Sequence, residues 1–161
     1  MTAPTAAGLF LNMYKIIPTY ALNRAGIEIH YAPSTAFDNL QIAIGYQDGD
    51  AGHFGRLRVN QSANEIVVGG NTVAFTKVLD YKLSPLITGH WFVMKLVVDF
   101  DANQYLRGTF NEQEIDLSAF SLEDVVTSTA PAFQIMVTVE SVGGTNAVAF
   151  VDDAIMTVDE P

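Results

Sequence analysis

Three groups of residues in this sequence have types and spacing that could do chemistry. Asp99, Asp101 and Asn103 place oxygen-bearing side chains at alternate positions, as do Asp48 and Asp50, and that is the pattern of a loop for a hard cation. Neither stretch has a bidentate acid at its far end, so a structural calcium on Asp99, Asp101 and Asn103 competes with plain turn geometry, which Asp and Asn also serve. The three histidines, His30, His53 and His90, are far apart and lack ligand spacing; they read as polar surface or strand-end residues. The third group is basic and aromatic: Arg56, Arg58, Lys95 and Arg107 fall at strand positions, with His30, Trp91 and Tyr105, and with Glu28 and Gln134 between them. On one shared sheet face these residues would suit a saccharide, because rings stack on sugar C–H faces while planar polar groups bind hydroxyls. The competing reading is a solvated face stitched together by cross-strand Glu–Arg and Asp–Lys pairs.

Composition removes other chemistries. Cysteine is absent, and with it disulfides, thiol nucleophiles and thiolate metal sites. There is no Gly-x-Ser-x-Gly, no His-Glu-x-x-His and no phosphate-binding Walker loop. Eight basic residues against eighteen acidic ones give a formal charge of -10, the wrong sign for neutralising phosphates, so nucleic acid and anionic membranes are unsuited partners. No apolar run approaches the roughly 20 residues of a membrane-spanning helix, and the start of the chain has no basic region of the signal-peptide kind. The compartment stays open.

The elements that must position these residues are strands. His90 to Phe100 is the most apolar run, with Phe92, Met94, Leu96, Val98 and Phe100 on one face and Trp91, Val93, Lys95, Val97 and Asp99 on the other. Two largely apolar faces predict a strand in the middle of a sheet. Gly8 to Ile17, Gly26 to Ala32 and Leu40 to Tyr46 alternate, the last with small Ala43 and Gly45 outward, where something must pack closely. The glycines of Asp48 to Gly55 predict a loop before a strand at Arg56 to Asn60. Further strands are expected at Glu65 to Val68, Thr72 to Val78, Tyr105 to Phe110, Glu114 to Leu117, Ala132 to Glu140 and Ala147 to Val158. Ser118 to Asp124 has room for one helical turn capped by Ser121. Short strands separated by turn residues, with no amphipathic helix, predict one all-β domain, residues 1–161, built as an antiparallel two-sheet sandwich.

HWFVMKLVVDFDANQYLRGTFNEQEIDL, then FQIMVTVE, then NAVAFVDDAIMTV, resembles the second half of a concanavalin A-like, laminin G-like jelly roll. The matching residues are Trp91 opening the central strand, Asp99 ending it, Tyr105, the Phe110-Asn111 turn and the Asp152-Asp153 pair; the first half matches only in strand rhythm. The glycosidase branch of that superfamily uses Glu-x-Asp-x-x-Glu on one strand. Here Glu114 and Asp116 are followed by Ala119 at the third position, so the resemblance implies a non-catalytic module with a glycan as ligand. It also implies a structural calcium as the one expected ion, with no other cofactor. Members of the superfamily usually have a further N-terminal strand near the C-terminal one. Either Gly8 to Ile17 takes that place, or an edge is left for another subunit of a homo-oligomer to cover. The alternative function is a structural or assembly protein, such as a virion, fibre or surface component, with no small ligand.

Overall fold

The computed structural model describes residues 2–3, 10–18, 23–33, 39–70, 74–81, 90–126, 130–141 and 147–159. The turns expected within 34–38, 71–73 and 143–146, and the irregular stretch 82–89, lie outside them. The strands are β1 (Thr2–Ala3), β2 (Phe10–Pro18), β3 (Arg24–Pro33), β4 (Asn39–Gln47), β5 (Ala51–Asn60), β6 (Glu65–Val68), β7 (Thr76–Asp80), β8 (Phe92–Asp99), β9 (Gln104–Phe110), β10 (Gln113–Asp116), β11 (Glu123–Val126), β12 (Ala132–Glu140) and β13 (Ala147–Val158). A six-stranded sheet runs β1-β13-β3-β8-β9-β10, and a seven-stranded sheet runs β2-β12-β4-β5-β6-β7 with β11 also on β5. The neighbouring strands pair antiparallel. The sandwich expected from alternation is therefore present, and β8 lies inside its sheet between β3 and β9, as its two apolar faces require.

The core is the set of alternate residues that the two sheets turn toward each other. Ile27 and Ile29 of β3 and Met94 and Leu96 of β8 are wholly buried, as are Ile42 and Ile44 of β4 and Leu57 of β5. Each such side chain contributes about 1.5–3 kcal/mol on leaving water, so this layer is what holds the sheets face to face. Side chains of opposite parity on the same strands point out of the sandwich, which therefore has two separate outer faces.

The structure corrects the sequence reading in three places. The stretch Asp48 to Gly55 is not a loop throughout: β5 begins at Ala51, pairing with β4 on one side and β11 on the other. Gly49, with φ 112°, serves the bend before it, but Gly52 and Gly55 are packing residues, since a Cβ on Gly55 would lie 2.9 Å from Val98 and one on Gly52 would lie 2.9 Å from Phe54. Ser118 to Asp124 forms no helical turn, because Ser121 bridges to Gln104 and Glu123 to Val126 form a strand on β5. Finally, β2 pairs with β12, not with the C-terminal strand, whose partner at this end is the two-residue β1 at Val148 and Ala147.

Candidate functional site

The outer face of the seven-stranded sheet is built by the register of its central strands. Gln134 of β12 stands opposite Gly45 of β4 and Gly45 opposite Phe54 of β5; one row on, Met136, Ala43 and Arg56 align, and then Thr138, Gln41 and Arg58. The Phe54 ring lies over Gly45, where any Cβ would collide with it. That is the close packing predicted by the small outward residues of β4. Beside the ring is a depression of about 120 Å³ lined by Ala43, Gly45, Phe54, Arg56, Gln134 and Met136.

Arg56 lines this depression and Arg58 stands one row further along β5, and the two are in different states. Arg56 is buried and its Nη1 donates to Glu123 Oε2 at 2.8 Å, with Glu123 buried as well; Gly70 leaves the space that the carboxylate occupies. Arg56 Nε is buried with no hydrogen-bond partner among the described residues. Arg58 is half-buried, donates from Nε and Nη2 to Gln41 Oε1 at 3.2 and 3.0 Å, and lies with its guanidinium carbon 3.9 Å from the centre of the Phe75 ring. Burial, then the nearby Arg56 charge, lowers its pKa, against the pull of Glu140. The result is a planar cation held between an amide and a ring.

The residues expected to share one face do not. Arg56, Arg58 and Gln134 are on the seven-stranded sheet, whereas Glu28, His30, Lys95 and Arg107 belong to β3, β8 and β9 of the other sheet and face the opposite way. Alternation shows which residues leave the core of one sheet, but not which sheet a strand joins. On that opposite face Lys95 Nζ of β8 lies 3.8 Å from Glu28 Oε2 of β3, the cross-strand stitching of the alternative reading, and His30 Nε2 lies 3.4 Å from Glu28 Oε1 along β3 itself. Tyr105 is on neither face. It lies in the core, where its Oη accepts from the Arg56 backbone N–H at 2.8 Å and donates to the Gly69 carbonyl at 3.3 Å, and burial pushes its pKa up to about 12.

Trp91 is half-exposed just before β8 and lines an open depression of about 700 Å³ with Asp80, Tyr81, Asn111 and Glu112 at the strand ends. The acids expected to bind calcium serve the turn between β8 and β9. Asp99 accepts from Arg24 Nε at 2.7 Å and from the Ala102 N–H at 2.9 Å, Asn103 donates to Asp124, and Asp101 is exposed. Among the described residues no group of three or more His, Asp or Glu side chains is placed to hold a metal ion. Sequence reasoning missed Phe54, Phe75 and Glu123. Phe54 was hidden by the loop reading, and the alternation Gly52, Phe54, Arg56, Arg58 was its available signal.

No protein-family model matches this chain, and neither does any curated protein sequence. Solved structures do. A sialidase superposes with a TM-score of 0.53 over 98% of this chain at 9% identity, although the chain spans only 16% of the sialidase. A tetrameric galectin from the ball sponge Cinachyrella sp. superposes with a TM-score of 0.51 at 12% identity, covering 91% of this chain and 99% of the galectin. Botulinum neurotoxin type C, which interacts with two ganglioside molecules, superposes with a TM-score of 0.51 at 10% identity over 97% of this chain and 42% of its own. The fold is thus that of the concanavalin A-like jelly rolls.

Proposed function

We propose that the protein is a non-catalytic glycan-binding module whose site is the outer face of the seven-stranded sheet. The observation that carries this reading is the Arg58 guanidinium, held by Gln41 over Phe75, one strand row from the depression between Phe54 and Gln134. A saccharide needs ring faces for its C–H surfaces and fixed planar donors for its hydroxyls, and this face supplies both with little side-chain entropy left to lose. Arg56 is matched by Glu123 and Arg58 feels Glu140, so a neutral sugar is the ligand that leaves no charge uncompensated. Catalysis has no part in this reading: Glu114 and Asp116 stand exposed on β10, and the third acid position is Ala119. A structural calcium at Asp99, Asp101 and Asn103 would bear only on stability.

The test is a glycan array probed with the wild-type protein, with and without calcium, and with Arg58→Ala, Gln134→Ala and Lys95→Ala variants. Arg58→Ala and Gln134→Ala are expected to weaken binding about tenfold or more, while Lys95→Ala, on the opposite face, leaves it unchanged. A wild-type protein that binds no glycan overturns the reading, as does loss of binding in Lys95→Ala alone. The second reading, an assembly protein, is favoured by a different feature, the exposed apolar side chains of β2 and β13.

A further inference from the structure

The strand rows that build the depression beside Phe54 run on past it. On β2, Met13 aligns with the buried Val137 and turns inward, so Tyr14 and Ile16 leave the sandwich on the outer face of the seven-stranded sheet. Ile16 stands opposite Gln134, and the row of Gln134, Gly45 and Phe54 ends in it; Tyr14 stands opposite Met136, and the row of Met136, Ala43 and Arg56 ends there. From Phe54 on β5 to Ile16 on β2 is three strand spacings, about 14 Å. The depression occupies this span as far as Gln134 and Met136. Beyond them Tyr14 is 68% and Ile16 55% exposed, large apolar side chains in water next to the proposed site.

The two ends of the span differ in chemistry. Toward β5 it has Arg56 and, one row on, Arg58 held by Gln41. Toward β2 it has Ile16, Met136 and the Tyr14 ring, while Lys15, the only charge on β2, alternates to the other side. A sugar hydroxyl laid against Ile16 and Met136 would lose its water and gain no partner, whereas a hydrocarbon is favoured there. The apolar strip is also narrow. The next row along the strands is polar, with Thr138 Oγ1 donating to Asn12 Oδ1 at 2.7 Å. Three side chains of at most about 200 Å² each fall short of the roughly 800 Å² per partner of a stable protein interface. The strip fits the tail of a small ligand and not a protein.

We propose that the ligand of this face is an amphipathic glycoside, its sugar in the depression between Phe54 and Gln134 and its hydrocarbon aglycone over Met136 against Tyr14 and Ile16. The inference rests on the glycan reading and adds to it the ligand's apolar group and the direction in which it lies, across the strands from β5 to β2. The two rows carry no acidic residue on β2, β12, β4 or β5, in a chain with eighteen acids, so nothing charged is desolvated when a hydrocarbon covers the β2 end. The polar end fixes the sugar through directed bonds. The apolar end adds affinity in proportion to the hydrocarbon it removes from water.

The test is isothermal titration calorimetry with the methyl, butyl and hexyl glycosides of glucose, galactose and mannose, below micelle-forming concentrations, and with hexanol. It uses the wild-type protein, a Tyr14→Ser, Ile16→Ser double variant and Arg58→Ala, with circular dichroism to check folding. For a sugar that binds, affinity is expected to rise about two- to fourfold with each added methylene, and hexanol alone is expected not to bind. The double variant is expected to flatten this rise and keep the affinity for the methyl glycoside, whereas Arg58→Ala weakens methyl and hexyl glycosides alike. Methyl and hexyl glycosides that bind equally to the wild-type protein overturn the inference and leave the glycan reading in place. So does hexanol binding as tightly as a hexyl glycoside, and so does a rise that survives the double variant. If no glycoside binds, the inference falls, and the glycan array decides separately whether the glycan reading falls with it.

Discussion

At the residue scale, the pair of Arg56 and Glu123 organises the proposed site from beneath. Both side chains are almost wholly buried and joined at 2.8 Å, and the Arg56 backbone is fixed from the core side by Tyr105. Removing one member of a buried pair strands the other charge. Glu123→Ala is therefore expected to cost about 3–5 kcal/mol in denaturant unfolding, and an Arg56→Met, Glu123→Leu double variant considerably less. A double variant as unstable as the single one would show that the pair matters for its shape and not for its charge. None of this was legible beforehand. The partners are 67 positions apart in a chain with eighteen acids, and nothing local marks Glu123 as the one that Arg56 meets.

At the element scale, β5 decides the face. Read by its glycines, its first half is a loop; paired on both sides it is a strand, and that extra length brings Phe54 over Gly45. A side chain at position 45 must displace the ring. Gly45→Val is expected to destabilise the fold by about 1–3 kcal/mol and to remove glycan binding, measured by thermal unfolding and by the same array. A stable variant that still binds would show that Phe54 is not part of the site. β12 was readable to the residue, because it alternates over all nine of its positions, whereas β13 was readable as a segment although its register shifts between Asp152 and Ile155; β11, four residues long, has too few positions to show a period.

At the scale of the whole molecule, stability should follow the carboxylates. Burial works to raise the pKa of Asp99, but the Ala102 N–H and the Arg24 guanidinium outweigh it and hold the carboxyl below the usual range; Asp48 and Asp116 are lowered by N–H groups of their own turns. The unfolded Asp titrates near about 3.9, so what Asp99 contributes is fully present above that pH and is lost as pH falls through the lower, folded value. The melting temperature is expected to drop as the pH goes below about 4. Arg24→Ala should lower stability at neutral pH and make this acid limb shallower. An unchanged limb in that variant would show that other carboxylates dominate it. Arg24 and Asp99 tie β3 to the end of β8, so the same contact that shapes one turn also fixes how two central strands end.

The sequence by itself determined the all-β class, most strand positions, the core parity of β3, β4, β8 and β12 and the absence of thiol chemistry. All of these follow from period-two alternation, turn residues and composition, which are local or additive properties. Only the tertiary structure decided which strands share a sheet. That choice parted Arg56 and Arg58 from His30, Lys95 and Arg107, drew Tyr105 into the core and left apolar side chains of β2 and β13 exposed. The physical reason is that alternation assigns a side chain to one of two faces of its own strand, while the partner across the ladder is set by long-range pairing and packing that no single segment encodes.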